Sequence, residues 1–233
     1  MSRFAPQALT LLFFVLINGI VLRNALLHDP WVGYDSPEHI RYIEVFSQGR
    51  FPTAAESAQF FSAPLPYVIP AIVRAASGSI QLAARCALIQ NFFASLILTW
   101  SLIRFARFAR PDQPYFPPLA LFIIGLLPVY YKSFAFVRGA PMVAMFTVLA
   151  MTEVVKFLNN QQSHRQSNGY LLGLYGAGMA LSRQWGVFGV VGLFSVLVII
   201  GLTTKRHGLA FGPAFRSFFL QSSLLCAALS CCF

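Results

Sequence analysis

Long apolar runs separated by short polar stretches set the pattern of this chain. A helix needs about 20 mostly apolar residues to cross a hydrocarbon core about 30 Å thick, and broken segments manage with fewer. Seven runs meet that condition: about 5–27, a stretch that includes 86–103, then 115–131, 139–157, 169–182, 184–204 and 217–233. None shows the period-two alternation of a barrel strand, and a backbone in lipid must satisfy its own polar groups, so the runs predict helices. The expected fold is all-α: a single polytopic membrane module over residues 1–233 with about seven transmembrane helices.

The pattern changes between residues 28 and 82. The stretch "FSAPLPYVIPAIV", with Pro64, Pro66 and Pro70, is apolar but short. If it crossed the membrane, the next span would place Arg104, Arg107 and Arg110 outside, against the positive-inside rule. If it lies in the outer interface, those arginines fall inside with Arg3, Lys156, Arg165, Lys205, Arg206 and Arg216, leaving Lys132, Arg138 and Arg183 in the short outer loops. Residues 28–82 therefore read as one external loop carrying interfacial helices. The loop holds five of the seven acids: Asp29, Asp35, Glu38, Glu44 and Glu56.

Within that loop, "DSPEHIRYIEVFSQG" carries helix punctuation: Asp35 or Ser36 can cap, Pro37 suits the first turn, and Gly49 suits the stop. His39, Ile40, Tyr42, Ile43 and Phe46 follow at three- and four-residue spacing, as on an amphipathic surface helix. Its N-terminus favours an anion, whether the Asp35 carboxylate or a ligand phosphate. Two readings of Asp35 compete. It either caps the helix, with Glu38 complementing the dipole, or serves as a general base shielded from bulk water. Asp35, Glu38 and His39 also share a helix face, which makes a divalent metal possible, although three residues in one turn are no specific metal signature.

Composition narrows the class. The chain is 57% hydrophobic and 10% charged, outside the ordinary soluble range. Its net charge of +10 is spread between apolar runs, which argues against nucleic acid as a partner. Cys86, Cys226, Cys231 and Cys232 lack the spacing of a zinc or disulfide framework. No small-x-small cleavage site precedes the acidic segment, so the first run reads as an uncleaved span. Trp31, Tyr34, Tyr67, Tyr130, Tyr131 and Trp185 fall where interfacial rings anchor helices, and Trp31 and Tyr34 could also stack on a sugar.

Four stretches in order, "GYDSPEHIRYIEVFSQGRFP", "FSAPLPYVIPAIVRAASGS", "LAARCALIQ" and "LLGLYGAGMALSRQWGVFGVV", carry a family resemblance. Together they resemble the GT-C superfamily of membrane glycosyltransferases, close to protein O-mannosyltransferases and aminoarabinose transferases, over most of residues 8–202. The resemblance implies a lumenal or periplasmic active site in which Asp35 activates an acceptor, with Glu38 and His39 in support. The implied donor is a sugar on polyprenyl or dolichyl phosphate, whose phosphate would meet Arg138, Arg183, Lys132 and Arg85. For Lys132 and Arg85, interfacial anchoring is the simpler role.

Two features depart from the family pattern. "VRGAPM" offers no second acid near the start of the fourth span, and the chain stops at "CAALSCCF", like an N-terminal catalytic module without its remainder. The alternative is a noncatalytic subunit or lipid-binding relative completed by a partner subunit. A transporter is a third reading, with Glu153 the only acid inside an expected span.

Overall fold

The structure, a computed structural model, describes residues 4–159 and 165–206. Every regular element among them is a helix: α1 (Phe4–Leu27), α2 (Ser36–Phe46), α3 (Leu65–Ser77), α4 (Ile80–Ala109), α5 (Phe116–Gly125), α6 (Pro128–Phe134), α7 (Ala140–Asn159), α8 (Arg165–Ser182) and α9 (Gly186–Arg206). The run expected at 217–233 lies outside the described residues.

Helix α4 is the pillar. Its 30 residues reach about 45 Å at 1.5 Å per residue, and α1, α3, α5 and α7 all pack against it. Helix α8 leans on α7, and α9 on α8. By length and apolarity, α1 and α4 qualify as membrane-crossing helices, and α5 with α6 makes a third if that bent pair counts as one.

Of the seven expected crossings, two or three among the described residues are long and apolar enough to span a membrane. The run expected at 115–131 is broken into α5 and α6, which meet at 72°. Pro128 explains the break: it has no N–H to donate and disfavours helical geometry at the residue before it. Leu127 is accordingly extended, and the Tyr131 hydroxyl donates to the Gly125 carbonyl that the break exposes, at 2.9 Å. The runs at 139–157, 169–182 and 184–204 fold as α7, α8 and α9. The apolar stretches Tyr170–Ser182 and Gly186–Ile199 are shorter than a full crossing.

The loop expected over 28–82 does contain two helices, α2 and α3, but it closes at Ser79. Gly78 adopts φ +69, a left-handed conformation that stops α3, and the Ser79 hydroxyl accepts from Leu82 N–H to start α4. The loop helices dock on α4 through Ile40, Tyr42, Ile43, Tyr67, Ala84 and Leu88, all buried.

Deeper in the bundle, Asn18 of α1 donates to the Thr99 hydroxyl of α4 at 3.0 Å and accepts from Ser95 at 2.8 Å. The Ser95 hydroxyl also lies 2.7 Å from Tyr130 of α6. These groups are buried, where an unmade hydrogen bond carries its full desolvation penalty. The network therefore fixes the register of α1, α4 and α6. Ser95→Ala is expected to lower stability by about 1–3 kcal/mol, and adding Tyr130→Phe should cost less than the two single losses summed. Thermal unfolding of the four proteins in detergent measures this; strict additivity would remove the network from that role.

Candidate active site

The first turn of α2 opens on the Asp35 carbonyl, which accepts from the N–H groups of Glu38 and His39. Asp35 occupies the N-cap position, yet its side chain makes no capping hydrogen bond. Its Oδ2 lies instead 3.2 Å from His39 Nε2, and the opposite ring nitrogen, Nδ1, lies 2.5 Å from the Tyr67 hydroxyl. A carboxylate only accepts, so Nε2 carries the proton; in the neutral ring Nδ1 then accepts from Tyr67. His39 and Tyr67 are each 2% exposed, whereas the Asp35 side chain is 17% exposed and its neighbour Tyr34 wholly so. A continuous hydrogen-bonded line thus runs from a buried phenol to a carboxylate at the surface.

The hydrogen bond from His39 is the main reason the Asp35 carboxyl is held below the usual range; burial opposes it, and the positive charge of Arg138 assists. Burial raises the Tyr67 phenol well above its ordinary value, and stacking on Tyr42, with centroids 4.2 Å apart, holds its ring in place.

Arg138 and Arg183 approach this line through a close packing of backbone. A Cβ at Gly139 would overlap the Ser182 carbonyl oxygen and stand 3.0 Å from the Pro66 ring. The starts of α3 and α7 and the end of α8 therefore meet at one point. Tyr67, Arg138 and Arg183 are the immediate chain neighbours of the three residues in contact there. Arg138 stacks on Phe136 at 5.0 Å, and its buried Nε has no hydrogen-bond partner in the structure. Burial lowers its basicity first, the Asp35 charge raises it, and Arg183 lowers it again. Two partly desolvated guanidinium groups beside a single carboxylate make a site short of negative charge.

Helix α4 holds the parts in place. Arg85 donates to the Ala25 and His28 carbonyls at 2.9 and 2.7 Å, closing the end of α1. Gln90 donates to the Pro66 carbonyl at 2.9 Å, and Asn91 to those of Phe136 and Phe134 at 2.8 and 3.4 Å. Sequence reasoning passed over Gln90 and Asn91 as polar residues within an apolar run. It also left Tyr67 as an interfacial anchor, since nothing local links it to a histidine 28 residues away.

The remaining expected site residues fall elsewhere. The Glu38 carboxylate accepts from Ala58 N–H at 2.8 Å while its carbonyl accepts from Ser57 at 2.9 Å, so it pins the 47–64 loop onto α2. Lys132 is exposed on α6. Trp31 donates from its indole to Gln81 at 2.9 Å. With Glu38 turned to the loop, Asp35 and His39 stand as a pair, and among the described residues no three His, Cys, Asp or Glu side chains converge on a metal-sized site. A cavity of about 650 Å³ and another of about 500 Å³ are lined by described residues that do not include Asp35. No family model, curated protein or solved structure matches the chain.

Because the folded Asp35 pKa lies below the ~3.9 of a free aspartate, its stabilising contribution is complete above that value and is lost as pH falls through the folded one. The stability gap between wild type and Asp35→Asn should stay constant near neutral pH and close in acid. His39→Ala, which removes the largest cause, should move that closure to higher pH. Unfolding followed between pH 7 and 3 reads both. Separately, Gly139→Ala is expected to lower the melting temperature far more than Gly49→Ser, since Gly49 has no neighbour within 4 Å of an added Cβ although its φ of +79 costs some strain; equal losses would deny the close contact at 139.

Proposed function

We propose that the chain is a GT-C-like membrane glycosyltransferase module that moves a sugar from polyprenyl or dolichyl phosphate to an acceptor hydroxyl, on the lumenal or periplasmic side. The observation that supports this most is an ionised carboxylate, free of capping duty, held beside two arginines at one end of the membrane-crossing helices. With no second acid beside it, the site is built on Asp35 alone among the carboxylates of the described residues.

Asp35 Oδ2 is taken by His39, so Oδ1 is the oxygen available to an acceptor. In the proposed step the acceptor oxygen attacks the anomeric carbon as Asp35 takes its proton. The bond from that carbon to the phosphate oxygen breaks on the opposite face, which inverts the centre. The departing lipid phosphate keeps the electron pair, and Arg138 and Arg183 balance its charge; guanidinium groups suit this because they meet phosphate as a planar fork. His39, oriented by Tyr67, keeps the carboxylate aimed and ionised.

A lipid-phosphate-binding subunit without transfer would use the same arginines and leave Asp35 idle. The transporter reading draws less support: Glu153 is buried, but both its carboxylate oxygens lie 3.0 Å from Lys156 Nζ, so its charge is already balanced.

Sugar release from a labelled polyprenyl-phosphate donor by purified protein tests the proposal. Asp35→Asn is expected to lower kcat by about 10²–10⁴-fold, as for loss of a general base, with donor binding retained. Arg138→Gln should chiefly raise donor KM. Undiminished transfer by a folded Asp35→Asn protein would reject the assignment, and donor binding without transfer by wild type would favour the subunit.

A further inference from the structure

The larger cavity, about 650 Å³, lies at the end of α1 and α4 opposite Asp35. Its walls are the first turns of α1, the last turn of α4 and the turn joining α4 to α5. Gln7, Arg107, Arg110, Asp112, Gln113 and Tyr115 supply its polar lining, and four prolines stiffen the rest. Backbone bonds from Gln113 N–H to the Arg110 carbonyl and from Phe116 N–H to the Gln113 carbonyl fix the connecting turn. The cavity is thus a built concavity, with a volume in the ~300–1,000 Å³ range of ligand pockets.

Its charge and depth point to one class of ligand. At about 45 Å, α4 exceeds a hydrocarbon core of about 30 Å, so its terminal arginines stand at headgroup level. Arg107 and Arg110 are exposed, and among the described residues neither forms an ion pair with Asp112. Two guanidinium groups three residues apart can share a phosphodiester, while Asp112 can accept from hydroxyl groups beyond it. Tyr115, 46% exposed, offers a ring at the same depth.

We propose that this cavity binds the headgroup of an anionic, hydroxyl-bearing phospholipid, of which phosphatidylglycerol is the simplest, from the leaflet opposite the candidate active site. The acyl chains lie along α1 and α5 in the bilayer, and the headgroup bridges the ends of α1 and α4. The proposal is independent of the glycosyltransferase reading and survives its failure.

Native mass spectrometry and thermal shift of the full chain, purified in detergent and titrated with defined lipids, test it. Phosphatidylglycerol should bind at least tenfold tighter than phosphatidylcholine and raise the melting temperature. The Arg107→Gln/Arg110→Gln protein should lose that preference while keeping its lipid-free melting temperature. Asp112→Asn should narrow the preference for phosphatidylglycerol over phosphatidic acid, which lacks the headgroup hydroxyls. Equal binding of phosphatidylcholine, undiminished phosphatidylglycerol binding by the double variant, or equally tight binding of free glycerol phosphate would each overturn it. The last result would make this a soluble-anion site.

Discussion

The arrangement depends on side chains of one helix bonding carbonyls that other segments leave open. Within two turns of α4, Arg85 closes the end of α1, Gln90 holds the start of α3, and Asn91 holds the chain between α6 and α7. Near or within lipid an unpaired carbonyl finds little water, so each bond carries more than the ordinary net value of about 1 kcal/mol. The three segments so held carry Tyr67 and Arg138, or lead directly into Asp35. Removing α4's polar side chains would therefore disperse the site before it touched any group in it.

What is assembled there is an imbalance. A carboxylate is kept ionised by a histidine that is itself oriented by a buried phenol, and two arginines converge with only that carboxylate to answer them. Like charges in a partly desolvated setting raise the free energy of the empty state, and an incoming anion relieves it. Under the proposed reading, the arrangement would place a lipid phosphate next to a proton acceptor. The opposite end of α1 and α4 repeats the excess of arginine without the buried relay, and so reads as a place for binding alone.

Bent and short helices serve this geometry. The 72° turn at Pro128 brings Tyr130 under α1 and α4, where the Ser95 hydroxyl receives it, and carries the chain back to Asn91. A straight span over the same residues would have placed Phe136 and Arg138 elsewhere, away from α2.

Much of this was legible in the chain. Run length and absence of alternation set the helical class, Pro37 marked the start of α2, and charge placement separated a loop rich in acids from basic ends. Asp35 and His39 stand out in the acidic loop, and Arg138 and Arg183 as basic residues of the expected short outer loops. Hydropathy counts residues and is blind to the bend that Pro128 imposes between α5 and α6. Local spacing and solvation are enough to say which segments are helical and which residues are chemically conspicuous. That Asp35 leaves its cap for His39, that Tyr67 completes the line, and that Gly139 against Ser182 draws two arginines together emerge only on folding. Those outcomes depend on contacts between residues 28 or more positions apart, or on a choice between two local hydrogen bonds, and packing settles both.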